Sequence, residues 1–280
     1  MQKYSAMKKL IINADDFGFN EGVVQAICQL YESGLVSSTS CLTNMPAWPL
    51  AAKYLRQNPE FGAGVHLVFN DGYPVLPSQQ VPALVRQDGK FMSDRQILWS
   101  IKPGTSRQVY AELRAQIERY IQDVGKLPDH LDNHCSVSYV RPDRFQATLE
   151  LAREYKLPIR APFGDDLEEL VPLYAKTNNL PAWLIRGLGS WYRRRVDRAG
   201  ILRPNTFIQH FSQTDNRTTE YLLRIMDNLR DGWISELIVH PGYDRGWREQ
   251  ELQVLLDPLV QQRLSEPDIE LVNFTAVRDR

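Results

Sequence analysis

Short apolar runs and stretches of helical periodicity alternate along almost the whole chain, and this alternation limits the fold more than any other feature. The segment "KKLIIN" reads as a buried strand, apolar from Leu10 to Ile12 and breaking at Asn13. Val23, Val24, Ile27, Leu30 and Tyr31 then recur at helical spacing, with Asn20 placed as an N-cap and Gly34 as the stop. Further strand signals fall at 35–44, 61–69, 128–140, 157–162, 234–240 and 268–274. Helices are predicted at 51–59, 105–124, 142–155, 218–229 and 248–264. Strand and helix repeated in this order place helices outside a mostly parallel sheet. About seven strands, with no GxGxxG after the first, fit a (β/α) barrel better than a dinucleotide-binding fold. Residues 70–104 are polar and contain prolines, and 163–204 carry no clear pattern. With no internal repeat, low-complexity tract or linker, the 280 residues read as a single catalytic domain, 1–280.

Composition removes several classes of function. Hydrophobic residues make up 43% and charged residues 24%, ordinary values for a globular protein with a sizeable core. Lys and Arg (33) nearly balance Asp and Glu (34), so charge gives no argument for a nucleic-acid partner. Cys28, Cys41 and Cys135 form no CxxC pair and are expected as reduced thiols in a cytoplasmic protein. The apolar run near the start is too short for a signal-peptide core, and none elsewhere is long enough for a transmembrane segment.

Polar groups able to bind a metal gather at four strand ends. They are Asp15 and Asp16, then His66 in "GVHL", His130, Asp132 and His134 in "DHLDNH", and His240 in "VHPGY". Four of the chain's five histidines therefore lie where a barrel enzyme carries its catalytic groups, at the C-terminal ends of strands. The "DFG" at 16–18 is not a kinase motif, because no room exists upstream for a Gly-rich loop and an HRD loop. On a strand of period two, His130, Asp132 and His134 project to one face. Asp16 with two histidines would make a two-His, one-carboxylate set with positions left for water and substrate. Such a set suits Zn²⁺, with Mn²⁺ and Mg²⁺ also open. Taken singly, each has a bland reading: His66 as a hydrogen-bonded core histidine, the aspartate pair as a turn and helix start. Together, at successive strand ends of one chain, they point to catalysis.

The order "NADDFG … GVHL … HLDNH … HPGY" resembles the YdjC-like carbohydrate deacetylases, a family that includes chitooligosaccharide deacetylases and hopanoid-associated relatives. "GLVSSTSCLTN" is similar to the family's segment after the first helix, and the likeness runs from about Lys8 to Tyr243. The resemblance implies a distorted (β/α) barrel like those of polysaccharide deacetylases. It also implies metal-dependent hydrolysis of an N-acetyl group from an amino sugar, oligosaccharide or glycoconjugate. Carried over by position, Asp16, His66 and His134 match the ligands of one divalent ion, Mg²⁺ or Zn²⁺ first, with Mn²⁺ and Co²⁺ open. Asp15 matches the general base acting on metal-activated water, and His240 the HPG histidine that would protonate the departing amine. Arg160 in "LPIRAP" falls where an arginine holds that base ionised, and Asp132, with His130, would orient the ligands. Asn44 and Tyr243 lie beside the motifs, where they would support or contact substrate. Relatives commonly continue the third motif as HxDxHxHxH, whereas Ser136 and Ser138 stand here. That departure leaves substrate contacts or a proton-transfer step near Ser136 open.

Two competing readings remain. One is another metal-dependent hydrolase on the same barrel, a phosphoesterase or glycosidase, although the adjacent aspartates suit metal work better than opposed glycosidase carboxylates. The other is a non-catalytic, metal-containing carbohydrate-binding protein. Trp48, Phe69 and Tyr243 are candidates to stack on a sugar, with burial in the core the commoner fate of such aromatics. Residues 181–200 are basic with interleaved tryptophans. They read first as a solvated helix with buried aromatics, and second as a substrate lid or a peripheral membrane contact. A homodimer is the base-rate expectation.

Overall fold

The computed structural model describes residues 7–99, 104–134, 139, 141–178, 180–244 and 246–280, and in it the alternation becomes a curled parallel sheet wrapped in helices. The strands are β1 (Lys8–Phe17), β2 (Ser38–Cys41), β3 (Gly62–Leu67), β4 (Leu131–Asn133), β5 (Thr206–Ile208), β6 (Ile234–Val239) and β7 (Ile269–Leu271). They run in the order β4-β3-β2-β1-β6-β5, with β7 paired to the start of β1, and every ladder is parallel. The expected strand at 157–162 is reduced to one bridge, Ile159 against Leu131. Pro158 and Pro162 flank it and supply no amide for a ladder. The barrel is therefore distorted at this seam.

The helices follow their sequence signals closely. They are α1 (Glu21–Glu32), α2 (Trp48–Gln57), α3 (Asp94–Trp99), α4 (Thr105–Val124), α5 (Pro142–Tyr155), α6 (Leu167–Asn178), α7 (Ala182–Ala199), α8 (Thr219–Asp227), α9 (Gly246–Leu255), α10 (Pro258–Leu264) and α11 (Thr275–Arg278). Asn20 caps α1, its side chain accepting from the Val23 amide at 2.9 Å. The helix expected over 248–264 is two helices. Pro258 has no amide to continue α9, and Asp257 starts α10 by accepting from the Leu259 amide at 2.9 Å. The strand expected over 128–140 is confined to β4. Residues 135–138 and 140, and with them Ser136 and Ser138, lie outside the described residues.

Strand alternation sorts the side chains. Leu10, Ile12 and Ala14 of β1 face outward and join Val23, Ile27 and Leu30 of α1 in the main apolar core. The inward residues form layers. At the bottom Ile11, Ile234, Phe274 and Val277 make a small apolar plug. Above it Asn13 donates to Ser40 Oγ at 2.8 Å, and His130 stacks on Phe274 with ring centroids 3.8 Å apart. Glycine makes this layer possible, since a Cβ on Gly64 would lie 2.4 Å from the His130 ring. Trp48 and Phe69 are fully buried in the core, which decides against stacking on a sugar. Among the described residues no helix is long and apolar enough to cross a membrane.

Gly64→Ala should destabilise the fold by about 1–3 kcal/mol through overpacking. Urea unfolding measures the loss, and a His130→Ala background should relieve most of it.

Candidate active site

Two adjacent residues on a regular strand face opposite sides, so Asp15 and Asp16 need a local exception to share a site. β1 supplies one. Its register on β2 pairs Asn13 with Ser38 and Ala14 with Thr39, then Phe17 with Cys41, leaving one extra residue on β1. Asp16 sits in this bulge with a φ of 70°, the left-handed region that aspartate tolerates better than most residues. Asp15 keeps the inward direction of Asn13, and the bulge turns Asp16 inward beside it. Asp16 is held there from two sides. Its Oδ1 lies 3.1 Å from His134 Nδ1, and its Oδ2 accepts from Arg248 Nη2 at 2.5 Å.

His66, at the inward position of β3, joins the two aspartates. Its Nε2 lies 3.6 Å from Asp15 Oδ2 and 3.5 Å from Asp16 Oδ1, while its Nδ1 lies 2.9 Å from Asp132 Oδ1. Arg160, on the seam, is buried beneath. It donates through both terminal nitrogens to Asp15 at 2.6 and 2.7 Å and through Nε to Glu236 at 2.7 Å. Its Nη1 also lies 2.7 Å from Asp132 Oδ2, which accepts from Ser40 as well. His240 follows β6, with Nε2 3.8 Å from Asp15 Oδ2 and Nδ1 3.3 Å from Ser212 Oγ. Its backbone amide donates to Glu251 Oε2 at 2.6 Å.

Burial alone would raise the carboxyl pKa values here, but at the three aspartates the cations win. Burial opposes Asp15 ionisation, and Arg160 with His66 nevertheless holds its pKa below the usual carboxylate range. His134 does the same for Asp16, well below that range. Arg160 and His66 likewise lower Asp132. Burial pushes His66 down, yet Asp132 and Asp15 raise it to about 9. Burial lifts Glu236 to about 7, with Arg160 pulling the other way.

The arrangement fits a divalent cation. Asp16, His66 and His134 each offer a ligand atom, and these atoms lie within 4.8 Å of one another. Asp132 holds His66 Nδ1 and leaves Nε2 facing the aspartates, the carboxylate–histidine relation that orients a metal ligand. Asp15, His66 and Asp132 form a second close group, but Arg160 already engages both of its carboxylates. Four carboxyl groups (Asp15, Asp16, Asp132, Glu236) face two guanidinium groups (Arg160, Arg248), and the positive charge that His66 carries in the metal-free site is one a dication would replace.

The other expected residues are placed differently. His130 is fully buried below the site, 2.5 Å from Asp129 Oδ1 through Nδ1 and 3.2 Å from Ser40 Oγ through Nε2. Asn44 donates to the carbonyls of Asp71 and Tyr73, bracing the loop after β3. Tyr243 is half-exposed, its hydroxyl donating to Gln29 on α1. Sequence reasoning missed Asn13, Glu236, Arg248 and Glu251. A signal existed for three of them: Glu236 interrupts an apolar strand, and Arg248 and Glu251 lie on the same helical stripe as Leu252 and Leu255. Asp15, His134, Arg160 and His240 form the floor of a cavity of about 320 Å³ whose walls include α6 and α7.

A family model described as YdjC-like protein matches residues 9–266. A carbohydrate deacetylase of Brevibacillus brevis is 31% identical over 277 residues, covering 95% of this chain and 98% of its own. A carbohydrate deacetylase of Geobacillus stearothermophilus is 30% identical over 275 residues, with 94% and 96% covered. A crystal structure from Enterococcus faecalis V583, provisionally described as a cellobiose-phosphate cleavage protein, matches with a TM-score of 0.78 at 27% identity, covering 97% of this chain and 99% of that one. The Xyl-CE4 domain of a multidomain xylanase from the hindgut metagenome of Trinervitermes trinervoides matches at 0.50 and 9% identity, covering 98% and 90%; that likeness is one of fold.

In the metal-free protein the His66–Asp132 pair should make stability fall with rising pH. With its pKa raised from 6.5 to about 9, protonated His66 contributes fully below pH 6.5, and the contribution drains away as pH climbs through 9. Unfolding midpoints of chelator-treated protein should show this decline, and Asp132→Asn should flatten it. The same variant should weaken divalent-cation binding about 10–100-fold by calorimetry.

Proposed function

Because the chain belongs to the YdjC-like family, we propose that it hydrolyses the N-acetyl group of an amino sugar or N-acetylated oligosaccharide. Asp16, His66 and His134 would hold one divalent ion, and Asp15 would act as base. The observation that carries this reading is the position of Asp15 Oδ2. It lies on the cavity floor between His66 Nε2 at 3.6 Å and His240 Nε2 at 3.8 Å, with Arg160 bound behind it. Relatives named carbohydrate deacetylases, similar over nearly the whole chain, support the same chemistry.

When bound, the ion would polarise the amide carbonyl and lower the pKa of a water. The side chains do the rest. Arg160 keeps Asp15 ionised at neutral pH, so its carboxylate can accept the proton of the attacking water. Arg160 itself, its pKa raised by three carboxylates, keeps its protons and only orients. His240 is the one described imidazole in the site with both a partly exposed face and a polar partner on its far nitrogen. Protonated, it would donate through Nε2 to the leaving nitrogen, with Ser212 and the Glu251 carboxylate (3.9 Å from Nδ1) steadying the ring. A carboxylate of low pKa beside a histidine divides the acid and base roles.

Acetate release from mono- and oligomeric N-acetylglucosamine should vanish on chelation and return with Zn²⁺, Mg²⁺, Mn²⁺ or Co²⁺. Asp15→Asn should lower turnover by about 10²–10⁴-fold while elemental analysis shows unchanged metal content. Lost metal in that variant would make Asp15 a ligand instead. Absence of release from every sugar, with metal bound, would defeat the hydrolase reading.

A further inference from the structure

A proton donor works only when its ring is aimed, and a misplacement of about 1 Å can cost about 10²-fold in rate. His240 lies just past the end of β6 with its side chain 21% exposed, so the aim of its Nε2 depends on what holds its backbone and ring. Glu251 Oε2 accepts from its backbone amide at 2.6 Å. Ser212 Oγ lies 3.3 Å from its Nδ1, and Trp247 meets its ring edge to face with centroids 5.9 Å apart.

Two of these supports need support themselves. Ser212 belongs to the connection between β5 and α8, whose only regular pieces are single 3₁₀ turns at His210–Ser212 and Thr214–Asn216. Glu251 is fully buried on α9, and its Oε1 has no hydrogen-bond partner among the described residues. A buried carboxylate without a cation nearby is costly. One side chain reaches all three. Arg217 donates through Nε and Nη2 to the Ser212 carbonyl at 3.1 and 2.8 Å. Its Nε also lies 3.5 Å from Glu251 Oε1, and its guanidinium sits over the Trp247 ring at 5.3 Å. The fork of a guanidinium is what allows one residue to bind a carbonyl, answer a carboxylate and stack on an aromatic face together.

We propose that Arg217 is the positioning residue of His240, locking Ser212, Glu251 and Trp247 around it so that Nε2 is held toward the site. The inference rests on the reading of His240 as the acid and adds the residue that aims it. In that step the protonated imidazole gives its Nε2 proton to the amide nitrogen as the carbon–nitrogen bond breaks. The ring is left neutral, with its Nδ1 proton directed at Ser212 Oγ. Arg217 keeps its own protons throughout and acts through the groups it holds.

The test uses the metal-loaded full chain and two acetyl substrates. N-acetylglucosamine oligomers have a leaving amine that needs a proton, and p-nitrophenyl acetate has a leaving phenolate that needs none. The amide-to-ester ratio of kcat should fall about 10²-fold in Arg217→Ala, with KM little changed. The ratio should fall no further in the double variant with His240→Ala than in His240→Ala alone. Arg217→Lys, which keeps a charge opposite Glu251 without the fork on Ser212, should recover part of it. That variant carries the comparison if Arg217→Ala does not fold. Histidine-labelled protein gives a readout free of substrate. The His240 ring signals, assigned by their loss in His240→Ala, should shift in the Arg217 variants while those of His66 and His134 stay. An unchanged ratio in both Arg217 variants, a double variant whose losses multiply, or unmoved His240 signals would each overturn the positioning role. Shifted signals with an unchanged ratio in His240→Ala would keep it and remove the acid assignment instead. Where no amide is cleaved, the ring signals decide alone.

Discussion

Arg160 lies within the barrel, almost wholly buried, with Asp15, Asp132 and Glu236 around its guanidinium at 2.6–2.7 Å. A lone buried cation would cost several kcal/mol in desolvation, and three carboxylates without it would cost more. Each therefore needs the others, and the bidentate bond to Asp15 fixes a carboxylate plane as well as a charge. From this unit the rest of the site follows. Asp132, held by Arg160 and Ser40, orients His66, and His66 faces the two aspartates. The same arginine ties α7 to the barrel, because its carbonyl accepts from the Tyr192 hydroxyl at 3.3 Å. The bridge holds Arg160 at its backbone, the amide donating to the Leu131 carbonyl at 3.1 Å, and the ion pairs fix its side chain.

Asp16 answers to a different constraint. Its left-handed backbone is tolerable but not free, and two polar contacts from distant elements hold its carboxylate. Arg248 occupies the far oxygen, so the near oxygen is the one presented toward His66 and His134. α9 thus serves both ends of the chemistry. Its Arg248 steadies Asp16, and one turn later its Glu251 holds the backbone amide of His240.

Much of this was legible in the sequence, and the reasons differ by element. Period-two spacing put His130, Asp132 and His134 on one face, and Ser40 touches both His130 and Asp132, as that spacing requires. Spacing does not give depth. His130 stands a layer lower, against Phe274 near the chain's other end. The adjacent aspartates were legible as a pair but not as a geometry, because the bulge depends on β2 register rather than on local pattern. Arg248 was hidden by separation, 232 residues from its partner, although a charge on an apolar helical stripe marked it. Strand 157–162 was overread, since apolar residues between two prolines satisfy the pattern without the amides.

The cap at 163–204 was illegible for a physical reason that also bears on what it does. Its helices pack largely on each other, with Leu167, Val171, Tyr174 and Ile185 forming a small core of their own, while Tyr192 and Val196 of α7 reach the main one. Gly189 lets them approach, since a Cβ there would lie 2.5 Å from Leu167. An element that answers to a private core carries less of the barrel's periodicity. Pro172 inside α6 weakens the helical signal further. The cavity over the site draws on both the barrel and the cap. Its floor is constrained by ion pairs that tolerate little change, because any substitution strands a buried charge. Part of its wall comes from the cap, where Ile185 and Leu188 line it and one aliphatic residue can replace another at a cost of under about 1.5 kcal/mol. The barrel therefore fixes the ion pairs at the floor, and the cap is tied to them through the Tyr192 hydroxyl on the Arg160 carbonyl.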